Sequence, residues 1–256
     1  MYNKPIIIVA GEPNSIFAEI FFKLFKSKFI SKYKRPIVII VSKKHLVKQM
    51  KKFNYNFKIN NVDEININKK ILNNKKINVI DVNFKFKKVF NKISNKSKNY
   101  IKKSFEISFK LMNKKLAFGL INGPISKKHF LENKYPGVTE YIARKANCSK
   151  KEVMLIYNEK LSVSPITTHI PIRKVNKNIS IDKIVKNVLT INKFYKNKLK
   201  IIPKIAVTGL NPHCESSDYI SEEKKIIIPA IKKLQRKKIN IQGPYPADTI
   251  FIKKNS

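Results

Sequence analysis

The 256 residues and 29.8 kDa are enough for one large domain or two modest ones with a substantial core, and 43% hydrophobic with 10% aromatic residues excludes a disordered chain. Two cysteines, Cys148 and Cys214, with no Cys-x-x-Cys pair, exclude a disulfide framework, a zinc finger and a thiol-redox motif. Lys and Arg number 55 against 16 Asp and Glu, a formal net charge of +39, so anionic ligands are favoured over cationic ones.

In chain order, Pro5 to Ala10 is a short continuous apolar run, the pattern of a strand buried on both faces of a parallel sheet. It is too short for a signal-peptide core and breaks into the turn residues Gly11-Glu12-Pro13-Asn14-Ser15. Ile16 to Phe29 has helical spacing with Ser15 as its N-cap; a second buried strand spans Pro36 to Val41, and a helix starts near Lys43. Strand, turn, helix and strand in succession predict an α/β fold. Residues 54–100, rich in Asn and Lys, read as weak strands, loops and an insertion. A helix starts at Lys98, its apolar side formed by Ile101, Phe105, Ile107, Ser108 and Leu111. Leu116 to Ile121 reads as another buried strand, halted by Asn122-Gly123-Pro124. Further strands are predicted at Val153–Tyr157, Ser162–Thr167 and Lys204–Thr208, and helices at Val138–Ala146, Ile181–Phe194 and Glu222–Lys237. A boundary at Asn122 divides the chain into an N-terminal lobe, 1–122, and a C-terminal lobe, 123–256. No apolar stretch approaches the roughly 18 residues of a membrane helix, so a cytoplasmic protein is expected.

Ligands of open α/β sheets collect beyond the carboxyl ends of the strands. Gly11-Glu12-Pro13, Asn122 to Lys127, Thr167-Thr168-His169, Gly209 to His213 and Pro246-Ala247-Asp248-Thr249 are all predicted at such places. Two of the four histidines, His169 and His213, end clusters of this kind, and two neutral imidazoles with a carboxylate suit a divalent transition metal. The plainer alternative is that each imidazole bonds a loop carbonyl. His45 and His129, among lysines at helix starts, read as surface residues. Gly137-Val138-Thr139-Glu140 opens a helix whose N–H groups suit an anion, although an ordinary helix start explains it equally. Lys127 suits a phosphate or carboxylate, but it is one of many lysines. Cys214 reads as a ligand, a reactive thiol or a packed side chain.

Only four of the 55 basic residues are arginines, the side chain whose planar fork suits nucleic acid. Lys, Asn and Ile share A/T-rich codons, so a drift in base composition accounts for lysines spread over solvated faces. There is no Gly-x-Gly-x-x-Gly, no P-loop, no His-Glu-x-x-His and no Gly-x-Ser-x-Gly. Residue chemistry alone leads to an α/β enzyme for an anionic substrate.

Five stretches, in order, resemble the 4-hydroxythreonine-4-phosphate dehydrogenase family of pyridoxine biosynthesis. They are Gly11-Glu12-Pro13 with Ile16 and Glu19, Ile121 to Lys127, Thr167 to Arg173, Gly209 to His213, and Gly243 to Thr249. The resemblance spans essentially the whole chain. It implies a homodimer of two α/β/α lobes with largely parallel sheets and an active-site cleft between them. It also implies NAD- or NADP-dependent, metal-assisted oxidation of 4-phosphooxy-L-threonine, then decarboxylation to 3-amino-2-oxopropyl phosphate. His169 and His213 match metal-binding histidines for zinc, magnesium or cobalt, Thr139 a substrate-contacting position, and Lys127 the lysine after the Gly-Pro turn, expected to be catalytic. The family's dinucleotide needs no Gly-x-Gly-x-x-Gly loop; no cofactor-binding residue is assigned.

Three departures stand beside these matches. Val138 replaces a histidine of the family pattern, Asn14-Ser15 and Phe17-Ala18 alter the first motif, and a Tyr-His-Asp-Gln segment with a third metal histidine does not occur in the 256 residues. Weakened metal binding and doubtful activity are the expectation from the last of these. The remaining alternatives are a related dehydrogenase of phospho-threonate or phospho-erythronate, a non-catalytic family member, and, from the lysine load alone, a nucleic-acid-binding protein. The expected partners are a phosphorylated small molecule and a second copy of the chain, without membrane or nucleic acid.

Overall fold

A computed structural model describes residues 4–64, 67, 72–132, 134, 135, 137–149, 152–214 and 221–251. The chain packs as two compact units, Met1–Lys150 and Lys151–Ser256. This division lies beyond the Asn122 boundary expected from sequence. The strand ends at Asn122, but the chain after it still supplies Phe130, Leu131 and Tyr141 to the first unit's core.

The first unit holds a five-stranded parallel sheet, in the order β3-β4-β2-β1-β5. Its strands are β1 (Ile6–Val9), β2 (Ile37–Val41), β3 (Ile59–Asn61), β4 (Ile77–Asp81) and β5 (Gly119–Asn122). Successive side chains of a strand face opposite ways, and the sequence obeys this. Ile7, Val9, Val38 and Ile40 enter one core with Ile101, Phe105 and Leu111. Ile8, Ala10, Ile39 and Val41 enter the other with Ala18, Phe21, Phe22, Leu46 and Met50. The helices behind those residues are α4 (Lys98–Asn113) on the first face and α1 (Phe17–Lys26) and α3 (Lys43–Lys52) on the second. A short α2 (Lys28–Lys32) follows α1 after a break at Ser27, whose hydroxyl donates to Leu24 O at 2.6 Å. The fifth helix, α5 (Val138–Lys145), closes the unit.

The structure departs from the sequence pattern at several places. Ile16, not Ser15, is the N-cap of α1; the Ser15 hydroxyl accepts from Phe17 N at 3.3 Å instead. The stretch expected to be weak strands contains β4, whose first four residues are buried between two neighbouring strands. Its polar Asn78 misleads the eye, yet the side chain donates to Ile37 O and Asn73 O at 2.9 and 3.0 Å. Residues 65, 66 and 68–71 of that stretch lie outside the described residues. β5 was expected to be buried, but its last two residues are exposed. His45, expected on the surface, is 1% exposed, with its ring edge-on to Phe84 and Phe86 and Nε2–H donating to Val89 O at 2.8 Å.

The second unit is smaller. Strands β6 (Ile205–Thr208) and β7 (Ile241–Tyr245) pair in parallel, and α6 (Ile181–Phe194) and α7 (Ile228–Arg236) supply most of its core. A π-helical turn, Glu223–Ile227, leads into α7. The predicted strands Val153–Tyr157 and Ser162–Thr167 reduce to one antiparallel bridge, Ile156 with Val163. Both bridge residues are exposed, so no packed face rewards a longer ladder. Among the described residues no helix is long and apolar enough to cross a membrane.

Candidate active site

In the first unit, β1 is flanked by β2 on one side and β5 on the other, so the connections diverge between β1 and β5. Such a divergence is where an open sheet holds its ligand. The turns after these two strands press backbone on backbone. Glu12 N donates to Pro124 O at 2.8 Å and Gly123 N to Val9 O at 2.7 Å. A Cβ on Gly123 would strike Ala10 O, and one on Gly11, at φ +77°, would strike Pro124 O. Beneath them Glu12, 2% exposed, accepts from the Ser97 hydroxyl at 2.6 Å and from Asn14 N at 3.4 Å.

Lys127 begins the π-helical turn Lys127–Leu131, directly after Ser126, whose hydroxyl accepts from His129 N at 3.4 Å. The Lys127 side chain is exposed. His129 is half-buried, and its Nδ1 pairs with Asn95 Oδ1 at 2.8 Å. Thr139, also exposed, lies in the first turn of α5, where the Gly137 cap provides no side-chain bond. Val138 packs half-buried against the core. Elsewhere in the unit, a shallow cleft of about 380 Å³ is lined by Lys43, Lys44, Val47, Lys48, Lys51 and Asp81. Asp81 there caps the backbone of α3, accepting from Lys43 N at 2.8 Å.

In the second unit, Gly209 to His213 follows β6 and Pro246 to Thr249 follows β7, and the two are tied by Gly209 N donating to Tyr245 O at 2.9 Å. His213 Nδ1 stands 3.5 Å from Asp248 Oδ2, with the two side chains 70% and 54% exposed. That spacing is long for a hydrogen bond. It matches the edge of a tetrahedron drawn around a cation with ligand bonds of about 2.1 Å, which is about 3.4 Å. An imidazole and a carboxylate so spaced fit neighbouring positions around one divalent ion. His169 lies on an exposed bend at φ +56°. Among the described residues no three His, Cys, Asp or Glu side chains form a metal-binding group, so His169 is not joined to His213 and Asp248 in such a cluster.

Sequence reasoning missed Glu223. It is 2% exposed, and its Oε1 accepts from Leu210 N at 2.7 Å and Asn211 N at 2.9 Å, while Oε2 accepts from Asn211 Nδ2 at 2.8 Å. Burial raises its pKa, but the bonds from Asn211 and Leu210 outweigh it and bring the carboxyl down to about 2. Two adjacent acids, Glu222-Glu223, in a chain with 16 acids against 55 bases were the available signal. Asp248 was visible within its motif but had no assigned role.

A parallel α/β sheet with glycine turns at its carboxyl edge, and a second unit presenting histidine and carboxylate on strand-end loops, is the frame of an α/β enzyme for a small ligand. The family model for pyridoxal phosphate biosynthetic protein PdxA matches residues 32–256, and the chain belongs to that family. The 4-hydroxythreonine-4-phosphate dehydrogenase of Sulfurihydrogenibium sp. is 35% identical over 252 residues, 96% of this chain and 75% of that protein. A D-threonate 4-phosphate dehydrogenase of Pectobacterium atrosepticum is 33% identical over 136 residues, 52% of this chain and 41% of that protein. Among solved structures, a putative 4-hydroxythreonine-4-phosphate dehydrogenase from Salmonella typhimurium superposes with a TM-score of 0.85 at 25% identity, covering 99% of this chain and 78% of the other. The relatives' names make this a dehydrogenase family.

Proposed function

We propose that the chain is a 4-hydroxythreonine-4-phosphate dehydrogenase of pyridoxal phosphate biosynthesis. The observation that carries the reading is the His213–Asp248 pair, 3.5 Å apart on strand-end loops of a member of this family. The secondary alcohol of 4-phosphooxy-L-threonine loses a hydride to NAD or NADP and a proton to solvent, giving 2-amino-3-oxo-4-phosphooxybutanoate. That β-keto acid releases CO2 and takes up a proton, leaving 3-amino-2-oxopropyl phosphate.

His213 and Asp248 would hold a divalent ion such as zinc, magnesium or cobalt, and His169, which forms no such group with them among the described residues, is assigned to the same ion by the family resemblance alone. When bound, the ion supplies Lewis-acid polarisation of the alcohol oxygen and an electron sink for loss of CO2. The exposed Lys127 ammonium presents a cation to an anionic group of the substrate, and the Thr139 hydroxyl offers a hydrogen bond from the first turn of α5. The net charge of +39 draws a phosphorylated substrate toward the surface. The proposal extends to a homodimer in the cytoplasm.

A second reading, oxidation of phospho-threonate or phospho-erythronate, is favoured by Val138. Half-buried against the core, it offers the substrate no polar group. Purified protein mixed with zinc, NAD or NADP and each candidate substrate tests both readings through the absorbance of the reduced cofactor. Reduction with 4-phosphooxy-L-threonine that disappears in His213→Ala is the expected result. No reduction with any of the substrates refutes the dehydrogenase reading.

A further inference from the structure

The metal reading of His213 raises the question of what holds its loop in shape. We infer that Glu223 is a positioning residue: from within the second unit it fixes the loop 209–213 so that His213 is presented beside Asp248. This inference rests on the proposed role of His213 and deepens it.

Four hydrogen bonds converge on the loop from two adjacent acids. Glu223 takes Leu210 N, Asn211 N and Asn211 Nδ2, and Glu222 Oε2 takes Asn211 Nδ2 at 3.0 Å. The chain then closes, with Cys214 N donating to Asn211 O at 3.1 Å. Gly209 makes the approach feasible: a Cβ there would lie 2.6 Å from Cys214 Sγ and 3.2 Å from Glu223 Oε1.

The backbone beyond is left-handed at both His213, φ +54°, and Cys214, φ +59°. Ordinary residues hold that conformation only where the surroundings impose it. The imposing element is anchored well, because Glu223 opens the turn leading into α7, and Ile227, Ala230, Ile231 and Leu234 are buried in the core. The carboxylate therefore transmits the position of a packed helix to a loop whose histidine is exposed. This is the arrangement by which residues behind a ligand pre-orient it and raise metal affinity.

The test compares the full chain with Glu223→Gln, Asn211→Ala and His213→Ala. Glu223→Gln keeps one carbonyl oxygen for the two backbone N–H groups but turns an amide NH2 toward Asn211 Nδ2, setting donor against donor. Two quantities are read: Co2+ affinity from the visible absorption of the bound ion, and amide hydrogen exchange without metal. Glu223→Gln is expected to weaken Co2+ binding roughly tenfold or more, with faster exchange at Leu210 and Asn211 and unchanged protection in α7. Asn211→Ala, at a half-buried position, moves both in the same direction and decides the matter if Glu223→Gln does not fold. Co2+ affinity and loop exchange equal to wild type in both variants overturn the inference. Wild-type protein that binds no Co2+, or His213→Ala that binds it equally well, overturns instead the metal reading on which the inference stands.

Discussion

The two units bury their surfaces by different means. In the first, alternate residues of β1 and β2 feed two apolar cores on opposite faces of one sheet. In the second, a two-stranded sheet with mostly half-exposed residues leans on a single apolar cluster, and the strand-end loop is held by carboxylates. The lesson is that apolar mass is enough to fix a sheet. A loop that must keep a polar side chain in the open needs a polar clamp from behind.

The largest test of this contrast is Phe105→Ala. Phe105 is fully buried against the rings of Phe109, Phe130 and Tyr141, and the truncation should cost about 3–5 kcal/mol in urea unfolding. A loss below about 1 kcal/mol would remove the first unit's claim to an apolar origin.

Next comes Gly123→Ala, which forces a methyl against Ala10 O; about 1–3 kcal/mol is expected, measured the same way. An unchanged midpoint would mean that the two turns can part.

The pH dependence of the clamp sharpens the other side. Glu223 has its folded pKa below its ordinary 4.5, at about 2, so its stabilisation is complete above pH 4.5 and is lost as pH falls toward 2. Exchange at Leu210 and Asn211 should accelerate over that window, and Glu223→Gln should flatten the profile.

The smallest effect is expected at His45, where burial lowers the pKa below 6.5 against the opposing bond to Val89 O. The unfolded chain binds the proton first, so stability should decline gently as pH drops below 6.5. A His45→Gln variant whose stability follows the same slope would show that another group is responsible.

Much of the fold could be read directly. β1, β2, α3, α4 and α6 follow from apolar runs, helical spacing and turn residues, and the site clusters at Gly11, Gly123 and Gly209 were visible as strand-end turns. What escaped was set by partners distant in sequence. Asn78 looks like loop chemistry until Ile37 O is beside it, and His45 looks like a surface residue until Val89 O and two phenylalanines surround it. Glu223 looks like any helix-opening acid, and only folding brings the Leu210 and Asn211 amides to it. The Ser162–Thr167 strand failed for the opposite reason. Its local pattern was suitable, but among the described residues it pairs through the Ile156–Val163 bridge alone, and both of those residues are exposed.

The crossing of the turns at Gly11 and Gly123 bears on how this sequence was shaped. Codons for glycine begin with two guanines, whereas the lysine, asparagine and isoleucine that crowd this chain are spelled in adenine and thymine. The chain has only six glycines, and two of them stand where carbonyl oxygens leave no volume for a single added carbon.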